Sequence, residues 1–151
     1  MITDDSDVWL FGANHVYRHF FHQDQFVEYY DSNSIVNQLG LDRESMIAIG
    51  MIVGSDYTRG IPNAGIITAL EILQEFHGNC MERLNKFRHW WKKAQKSDYK
   101  TDSKVLKHLK NLQLSEGFPS QAVYDAYQTP KIDYDKSKFT WAMPQLELLR
   151  E

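Results

Sequence analysis

Three aspartates, Asp5, Asp7 and Asp56, are the side chains of this sequence best suited to chemistry. Asp5 and Asp7 lie two residues apart near the start of the chain, and Asp56 follows a long apolar stretch that ends at Gly54. Carboxylates held close together repel each other unless something neutralises them. Mg²⁺ is a hard cation that takes oxygen ligands and keeps several waters. The pattern therefore indicates a divalent metal site.

The first pair of aspartates precedes a short apolar run, residues 8–11, which predicts a buried strand. Alternate side chains of an extended segment share a side, so Asp5 and Asp7 are expected to point one way and Asp4 the other. An α/β sheet opens its binding crevice at such strand ends. The alternative is an acidic turn in which Asp4 or Ser6 caps backbone groups. For Asp56 the alternative is an N-cap of the turn that follows it.

Strands and helices alternate through the rest of the chain, which predicts an α/β layer followed by helices. A hairpin is expected from His15–Phe20 and Phe26–Tyr30, because both are rich in β-branched and aromatic residues. Helices are expected after the N-caps Asp31, Asp42 and Asp102 and over Ile66–Phe76, which Gly78 closes. Further helices are expected through the basic stretch near Trp91, over Pro119–Tyr127 and from Pro144. An extended segment, Phe139–Trp141, is expected between the last two.

Glycines enclose a compact turn, Gly60-Ile61-Pro62-Asn63-Ala64-Gly65, between two apolar helices. Backbone amides at a helix N-terminus bind phosphate, and glycine allows close approach of the backbone. Such a turn can hold a DNA backbone without recognising its sequence. A plain helical hairpin packed for stability is the alternative.

Charge is distributed unevenly along the 151 residues. Residues 1–56 contain nine acidic and two basic side chains, a balance of −7, whereas residues 83–110 contain ten basic and two acidic ones, a balance of +8. This asymmetry suits a protein that binds cations in one region and a polyanion in another. No apolar run is long enough to cross a bilayer, so no membrane partner is expected. The single cysteine, Cys80, excludes a disulfide framework.

Two strings carry a resemblance to a known family. The string Thr3-Asp4-Asp5-Ser6-Asp7-Val8-Trp9-Leu10-Phe11-Gly12-Ala13 resembles the internal nuclease motif of the flap endonuclease and XPG superfamily. The string Gly54-Ser55-Asp56-Tyr57-Thr58, followed by Gly60-Ile61-Pro62 and Gly65, resembles its last metal motif and the helix–two-turn–helix. Strings near Tyr29, Gly40, Phe118 and Tyr127 favour the XPG (xeroderma pigmentosum group G) branch.

The resemblance implies a partial PIN-like core of the flap-endonuclease type. It divides the chain into residues 1–56 of the α/β nuclease core, a helix–two-turn–helix at 57–78 and a basic helical region at 79–151. It implies that Asp5, Asp7 and Asp56 are catalytic ligands of a two-metal Mg²⁺ site. It also implies that Gly60, Ile61, Ala64 and Gly65 contact DNA, with backbone carbonyls holding K⁺. The basic helix beyond adds DNA contacts from Lys86, Lys92 and Lys93.

The function implied is hydrolysis of phosphodiesters at single-strand/double-strand junctions, as the 3′ incision of nucleotide-excision repair in the nucleus, with the repair factor TFIIH as a partner. The family's upstream metal ligands have no counterpart here, so the chain is expected to be a fragment that is inactive alone, with an exposed sheet edge. Two other functions stay open. One is a non-catalytic DNA-binding module, and the other is a nuclease of the flap or Holliday-junction branch.

Overall fold

The computed structural model describes residues 1–23, 26–96, 101–138, 140, 142 and 143. It contains a small sheet followed by helices, which confirms the expected α/β class with additional helices. The named elements, in chain order, are a 3₁₀ helix Ser6–Trp9, β1 His15–Arg18, β2 Glu28–Asp31, α1 Ser32–Leu39, α2 Arg43–Val53, α3 Ile66–Glu75, α4 Cys80–Lys96, α5 Lys104–Lys110 and α6 Gln121–Gln128.

The predicted hairpin is present. Strands β1 and β2 pair antiparallel, with Val16 opposite Tyr30 and Arg18 opposite Glu28. The first residues of the chain lie along the other side of β1, where Ile2 forms a parallel bridge to Tyr17. The sheet therefore places the segment that carries Asp5 and Asp7 directly beside the hairpin.

The strand predicted for residues 8–11 is wrong. Its first half belongs to the 3₁₀ helix, because Asp5 caps that turn and the amides of Leu10 and Phe11 both donate to Asp7 O. Val8 and Leu10 are buried all the same. Four apolar residues satisfy the period of a strand and of a tight helical turn equally well, and the acidic cap decides between them.

The helix boundaries at α1 and α2 agree with the sequence. Asp31 caps α1 by accepting from Ser34 N, and Gly40 ends it in the left-handed region at φ 66°. Asp42 caps α2 by accepting from Ser45 N. A good cap marks the boundary at both helices, and burial of an apolar face supports it at α2.

Three other boundaries differ from those expected. Helix α3 ends at Phe76 rather than Gly78, α5 is capped by Ser103 rather than Asp102, and α6 begins after Ser120 rather than at Pro119. In the last two, a serine directly before the helix accepts from an amide in its first turn. Of the predicted segment at 139–141 only Thr140 is described, and the helix predicted from Pro144 lies outside the described residues.

Helix α2 lies at the centre of the core. Its Ile47 and Ile52 are fully buried, and they belong to one apolar cluster with Ile72 of α3, Phe87 of α4 and Tyr127 of α6. The cluster contains side chains from all three predicted divisions of the chain, 1–56, 57–78 and 79–151. The boundaries between these divisions stay predictions. Within the described ranges, no helix is long and apolar enough to cross a membrane. The core fixes both ends of α2, and the residues of the candidate site lie around its C-terminal end.

Candidate metal and nucleic-acid site

Asp5 and Asp7 lie on the 3₁₀ helix at its N-terminal end. Asp5 Oδ1 accepts from Asp7 N at 2.9 Å, so one oxygen of Asp5 serves as a cap while its side chain stays exposed. Asp7 is partly buried. Asp4 Oδ1 accepts from His19 N, so Asp4 binds a backbone amide as the capping alternative expected, and Asp5 caps the 3₁₀ helix as well. A single capping bond leaves Asp5 with acceptor capacity for a further ligand.

Asp56 lies on a tight turn that follows α2. Ser55 and Thr58 close the turn through reciprocal backbone hydrogen bonds of 2.8 and 3.2 Å. Tyr57 N donates to Ser55 Oγ, so Ser55 supplies the cap that was considered for Asp56. The Asp56 side chain is exposed. The turn thus holds the backbone of Asp56 in place and presents its carboxylate outward.

Tyr127 joins the two aspartate segments. Its side chain is fully buried, and its hydroxyl oxygen lies 3.3 Å from Asp7 Oδ2 and 2.7 Å from Ser55 Oγ. An ionised carboxylate can only accept, so Tyr127 donates to Asp7 and the Ser55 hydroxyl donates to Tyr127. One buried hydroxyl therefore contacts Asp7 directly and the residue next to Asp56.

Electrostatics show that the three carboxylates share one region. Burial raises the pKa of Asp7, the hydrogen bond from Tyr127 opposes that rise, and the negative charges of Asp5 and Asp56 add to it. Burial also raises the pKa of Tyr127, and the neighbouring Asp7 carboxylate adds to that rise. The region is therefore one in which negative charge is disfavoured until a cation is present.

Arg43 fixes the backbone on both sides of this region. Its Nε donates to Leu10 O at 2.9 Å, and its Nη2 donates to Tyr127 O at 2.6 Å. The guanidinium thereby ties the end of the 3₁₀ segment to α6 from the first turn of α2. Sequence reasoning missed this role of Arg43 and the central place of Tyr127, because partners so far apart in the chain leave no local signal. The only hints were two resemblance strings, one that contained Arg43 and one that contained Tyr127.

The donor set fits Mg²⁺ in kind but does not close into a compact cage. Asp5, Asp7 and Asp56 supply only carboxylate oxygens, the ligands that this ion prefers. Nevertheless, in the part of the chain that the structure describes, no three His, Cys, Asp or Glu side chains converge closely enough to hold a metal ion. A cation bound here would keep waters or take further ligands.

The turn at 60–65 lies between α2 and α3 and depends on glycine at its first position. Gly60 has φ +67°, and a Cβ there would stand 2.6 Å from Ile52 O. Ile61 and Ala64 are buried, so they can contact a ligand only through their backbone. Gly65 is the N-cap of α3 without a side-chain cap, and nothing lies within 4 Å of the position its Cβ would take. The N-terminus of α3 is therefore open to a phosphate.

The three lysines predicted to bind DNA lie elsewhere, on α4. Lys86, Lys92 and Lys93 line a groove of about 740 Å³ together with aromatic side chains that include Trp90. Lys86 Nζ donates to His77 O, just beyond the C-terminal end of α3. The 60–65 turn adjoins the opposite end of that helix, about 15 Å away for ten residues. The structure thus separates the lysine groove from the glycine turn.

Known proteins resemble this chain in sequence and in fold. Residues 1–56 match the family model of the XPG I-region. The chain is 51% identical to the DNA excision repair protein ERCC-5 homolog of Xenopus laevis over 99% of its own length, and it spans 13% of that relative. It superposes with a TM-score of 0.77 and 41% identity on the catalytic core of Rad2 in complex with DNA substrate, covering 99% of this chain and 47% of that one.

A more distant likeness concerns the fold alone. The junction-resolving enzyme GEN-1 binding with potassium aligns with a TM-score of 0.59 at 24% identity over 83% of this chain. The fold is thus that of the XPG and flap-endonuclease class. Within that class, residues 1–56 match the XPG I-region, and the chain corresponds to the C-terminal part of an XPG-type nuclease.

Proposed function

We propose that this chain forms the C-terminal part of the catalytic core of a structure-specific DNA endonuclease that acts in nucleotide-excision repair. The observation that carries the proposal is the convergence of the Asp7 segment and the Asp56 turn on one buried hydroxyl, that of Tyr127. Because the chain spans 13% of the frog relative, the activity, substrate and partners of the whole protein are part of the proposal.

In this proposal Asp5, Asp7 and Asp56 hold Mg²⁺ through their carboxylate oxygens. The ion supplies an activated water and stabilises the leaving oxygen during phosphodiester hydrolysis. The chain's own contribution is to keep the carboxylates in place. Arg43 and Tyr127 fix the two backbone segments, while the negative charges of Asp5 and Asp56 beside Asp7 favour a bound cation.

The DNA contacts in this proposal are of two kinds. The amides at the N-terminus of α3, beyond Gly65, face an incoming phosphate, and the carbonyls of Gly60, Ile61 and Ala64 are suited to a potassium ion beside it. Ile61 O and Gly65 O each accept one backbone bond, from Ala64 N and Ala69 N, and a carbonyl oxygen retains a second lone pair. The lysine groove on α4 adds phosphate contacts at a distance.

DNA with single-strand/double-strand junctions is the substrate in this proposal, cut on the 3′ side of a lesion. The basis is the name of the frog relative, an excision repair protein, and the DNA substrate in the Rad2 complex. A nuclear location and an association with TFIIH complete the proposal. The flap and Holliday-junction branch is less well supported, because identity falls from 41% with Rad2 to 24% with GEN-1.

The test is a chimera in which this chain replaces the matching part of the Rad2 catalytic core. Cleavage of an end-labelled bubble DNA is measured with Mg²⁺ and with EDTA. We expect cutting only with Mg²⁺, and we expect Asp56→Asn to lower its rate at least about a hundredfold, since loss of a ligand exceeds the effect of a supporting residue. The matched control is Asp133→Asn, an exposed aspartate in the segment after α6, which should cut normally.

The alternative function, a DNA-binding module without catalysis, predicts a different pattern. The chimera would bind the bubble but leave it intact, and Asp56→Asn would bind DNA as tightly as the parent or more tightly, because it removes a negative charge. A bubble that is bound but never cut would overturn the endonuclease proposal.

A further inference from the structure

We propose that Tyr127 is a positioning residue that sets the spacing of Asp7 and Asp56 through the hydroxyl of Ser55. This inference rests on the proposed metal site and extends it to a residue of α6, far from both aspartates in the chain. The side chain of Tyr127 touches no substrate in this account. It acts only through the carboxylate and the turn that it contacts.

The Tyr127 hydroxyl contacts both of the segments that carry the aspartates. Tyr127 lies 120 residues from Asp7 and 72 from Ser55 in sequence, yet its oxygen lies within 3.3 Å of Asp7 Oδ2 and 2.7 Å of Ser55 Oγ. A phenol has one proton, so the two contacts form a chain in which Ser55 donates to Tyr127 and Tyr127 donates to Asp7. The chain ties the 3₁₀ helix to the turn that carries Asp56.

The Tyr127 side chain is held in one place by packing and by a bond to its own backbone. Its ring is fully buried, and it packs against Phe11 and Tyr57, whose ring centres lie 5.1 and 5.3 Å away. Its carbonyl is held by Arg43 at 2.6 Å. A side chain fixed by both packing and a backbone bond has one position for its hydroxyl, which is the property required of a group that orients metal ligands.

Tyr124, one turn earlier on α6, makes a similar hydrogen bond to a carboxylate outside the site. The Tyr124 hydroxyl donates to Glu44 Oε1 at 3.0 Å, and Glu44 also accepts from Gln128 Nε2 and Cys80 N. That network joins α2, α4 and α6 and contains none of the three site aspartates. Two tyrosines of one helix thus each donate to a carboxylate, and only Tyr127 does so at the site.

The experiment measures Mn²⁺ binding by the chimera of this chain with the Rad2 catalytic core, from the electron paramagnetic resonance signal of the free ion. Tyr127→Phe removes one hydroxyl and keeps the ring, and it should weaken Mn²⁺ binding about tenfold, as loss of a residue that orients ligands does. Ser55→Ala should weaken it in the same way. The double variant should add little, since both changes break one chain. Tyr124→Phe is the matched control and should bind Mn²⁺ as the wild type does.

Thermal unfolding in EDTA separates positioning from stability. Tyr127→Phe and Tyr124→Phe each lose one hydroxyl that makes two hydrogen bonds, and both should melt below the wild type, whereas only Tyr127→Phe should lose Mn²⁺ affinity. Equal weakening of Mn²⁺ binding in both variants, or wild-type binding in Tyr127→Phe and Ser55→Ala, would overturn the inference. Ser55→Ala decides the matter if Tyr127→Phe does not fold.

Asp7→Asn and Asp56→Asn distinguish this inference from the function on which it rests. If both lower Mn²⁺ affinity while Tyr127→Phe does not, the metal site stands and only the positioning role of Tyr127 is overturned. If neither lowers it, the proposed metal site is overturned together with the inference.

Discussion

At the scale of single residues, Asp7 is the carboxylate, among the described residues, whose pKa is raised by its surroundings. It is partly buried, it feels the charges of Asp5 and Asp56, and it receives one hydrogen bond from Tyr127. A structural aspartate would instead be expected to have a basic partner. The Asp7 charge therefore lowers the stability of the metal-free fold, as is typical of a cation site, and a bound cation would restore that stability.

This cost predicts that Asp7→Asn stabilises the metal-free chain. The pKa of Asp7 in the folded chain is raised above its value of 3.8 in the unfolded chain, so between the two values the folded state binds more protons and stability falls as pH rises. Asparagine keeps an acceptor for Tyr127 and carries no charge. We expect Asp7→Asn to melt about 1–3 °C above the wild type at pH 7 in EDTA, with no difference below about pH 3.5.

Calorimetric melting curves between pH 3 and 8 check this prediction. Asp133→Asn, an exposed aspartate whose Oδ1 accepts from Asp135 N, is the control and should show no such pH-dependent gain. A lower melting temperature for Asp7→Asn than for the wild type at pH 7 would show that Asp7 stabilises the fold, contrary to the role given to it here.

At the scale of elements, the caps of α1 and α2 could be predicted because each depends on residues close together in the chain. Asp31 and Asp42 stand directly before an apolar periodic stretch, and each accepts from an amide three residues on. The strand predicted at residues 8–11 failed because a four-residue apolar run fits two periods. The candidate aspartates could be named from their strings, whereas the roles of Tyr127 and Arg43 depend on contacts across 33 to 120 residues.

The turn between α2 and α3 allows a comparison of two glycines five residues apart. Gly60 is required by the backbone, because alanine would adopt φ +67° and place its Cβ 2.6 Å from Ile52 O, Val53 C and Gly54 N. Gly65 has an ordinary extended backbone with open space around it. We expect Gly60→Ala to cost about 3 kcal/mol or more in the free energy of unfolding and Gly65→Ala to cost less than about 1 kcal/mol.

For DNA binding, Gly65 is expected to matter even though its replacement costs little stability. A methyl group there would obstruct a phosphate that approaches the amides of α3, so Gly65→Ala should bind bubble DNA less tightly while unfolding at nearly the same urea concentration as the wild type. Urea unfolding and fluorescence anisotropy with labelled DNA measure the two quantities. Unchanged DNA affinity in Gly65→Ala would remove the N-terminus of α3 from the proposed interface.

At the scale of the whole molecule, charge and fold separate two regions. The acidic residues of the first 56 positions include the three site aspartates, and the basic residues of 83–110 include the lysines of α4. Helix α2 connects the two regions through its first turn. Arg43 donates to the carbonyl of Tyr127, and Glu44 accepts from the amide of Cys80 at the start of α4. In the proposed function, a polyanion bound along α4 would thereby be held at a fixed distance from the carboxylates, which would otherwise repel it.

The lysine groove yields the last prediction, which concerns salt dependence. Each lysine that neutralises a phosphate contributes about 0.9 to the slope of log affinity against log salt concentration on duplex DNA. Replacing Lys86, Lys92 and Lys93 together by Gln should therefore lower that slope by about 2–3 and weaken binding for every DNA sequence alike. The matched control replaces Lys131, Lys136 and Lys138, three exposed lysines after α6, and makes the same change in charge. Anisotropy titrations from 50 to 200 mM KCl distinguish the cases. An equal fall in slope for both triple variants would mean that net charge alone governs binding, and the groove on α4 would lose its place in the interface.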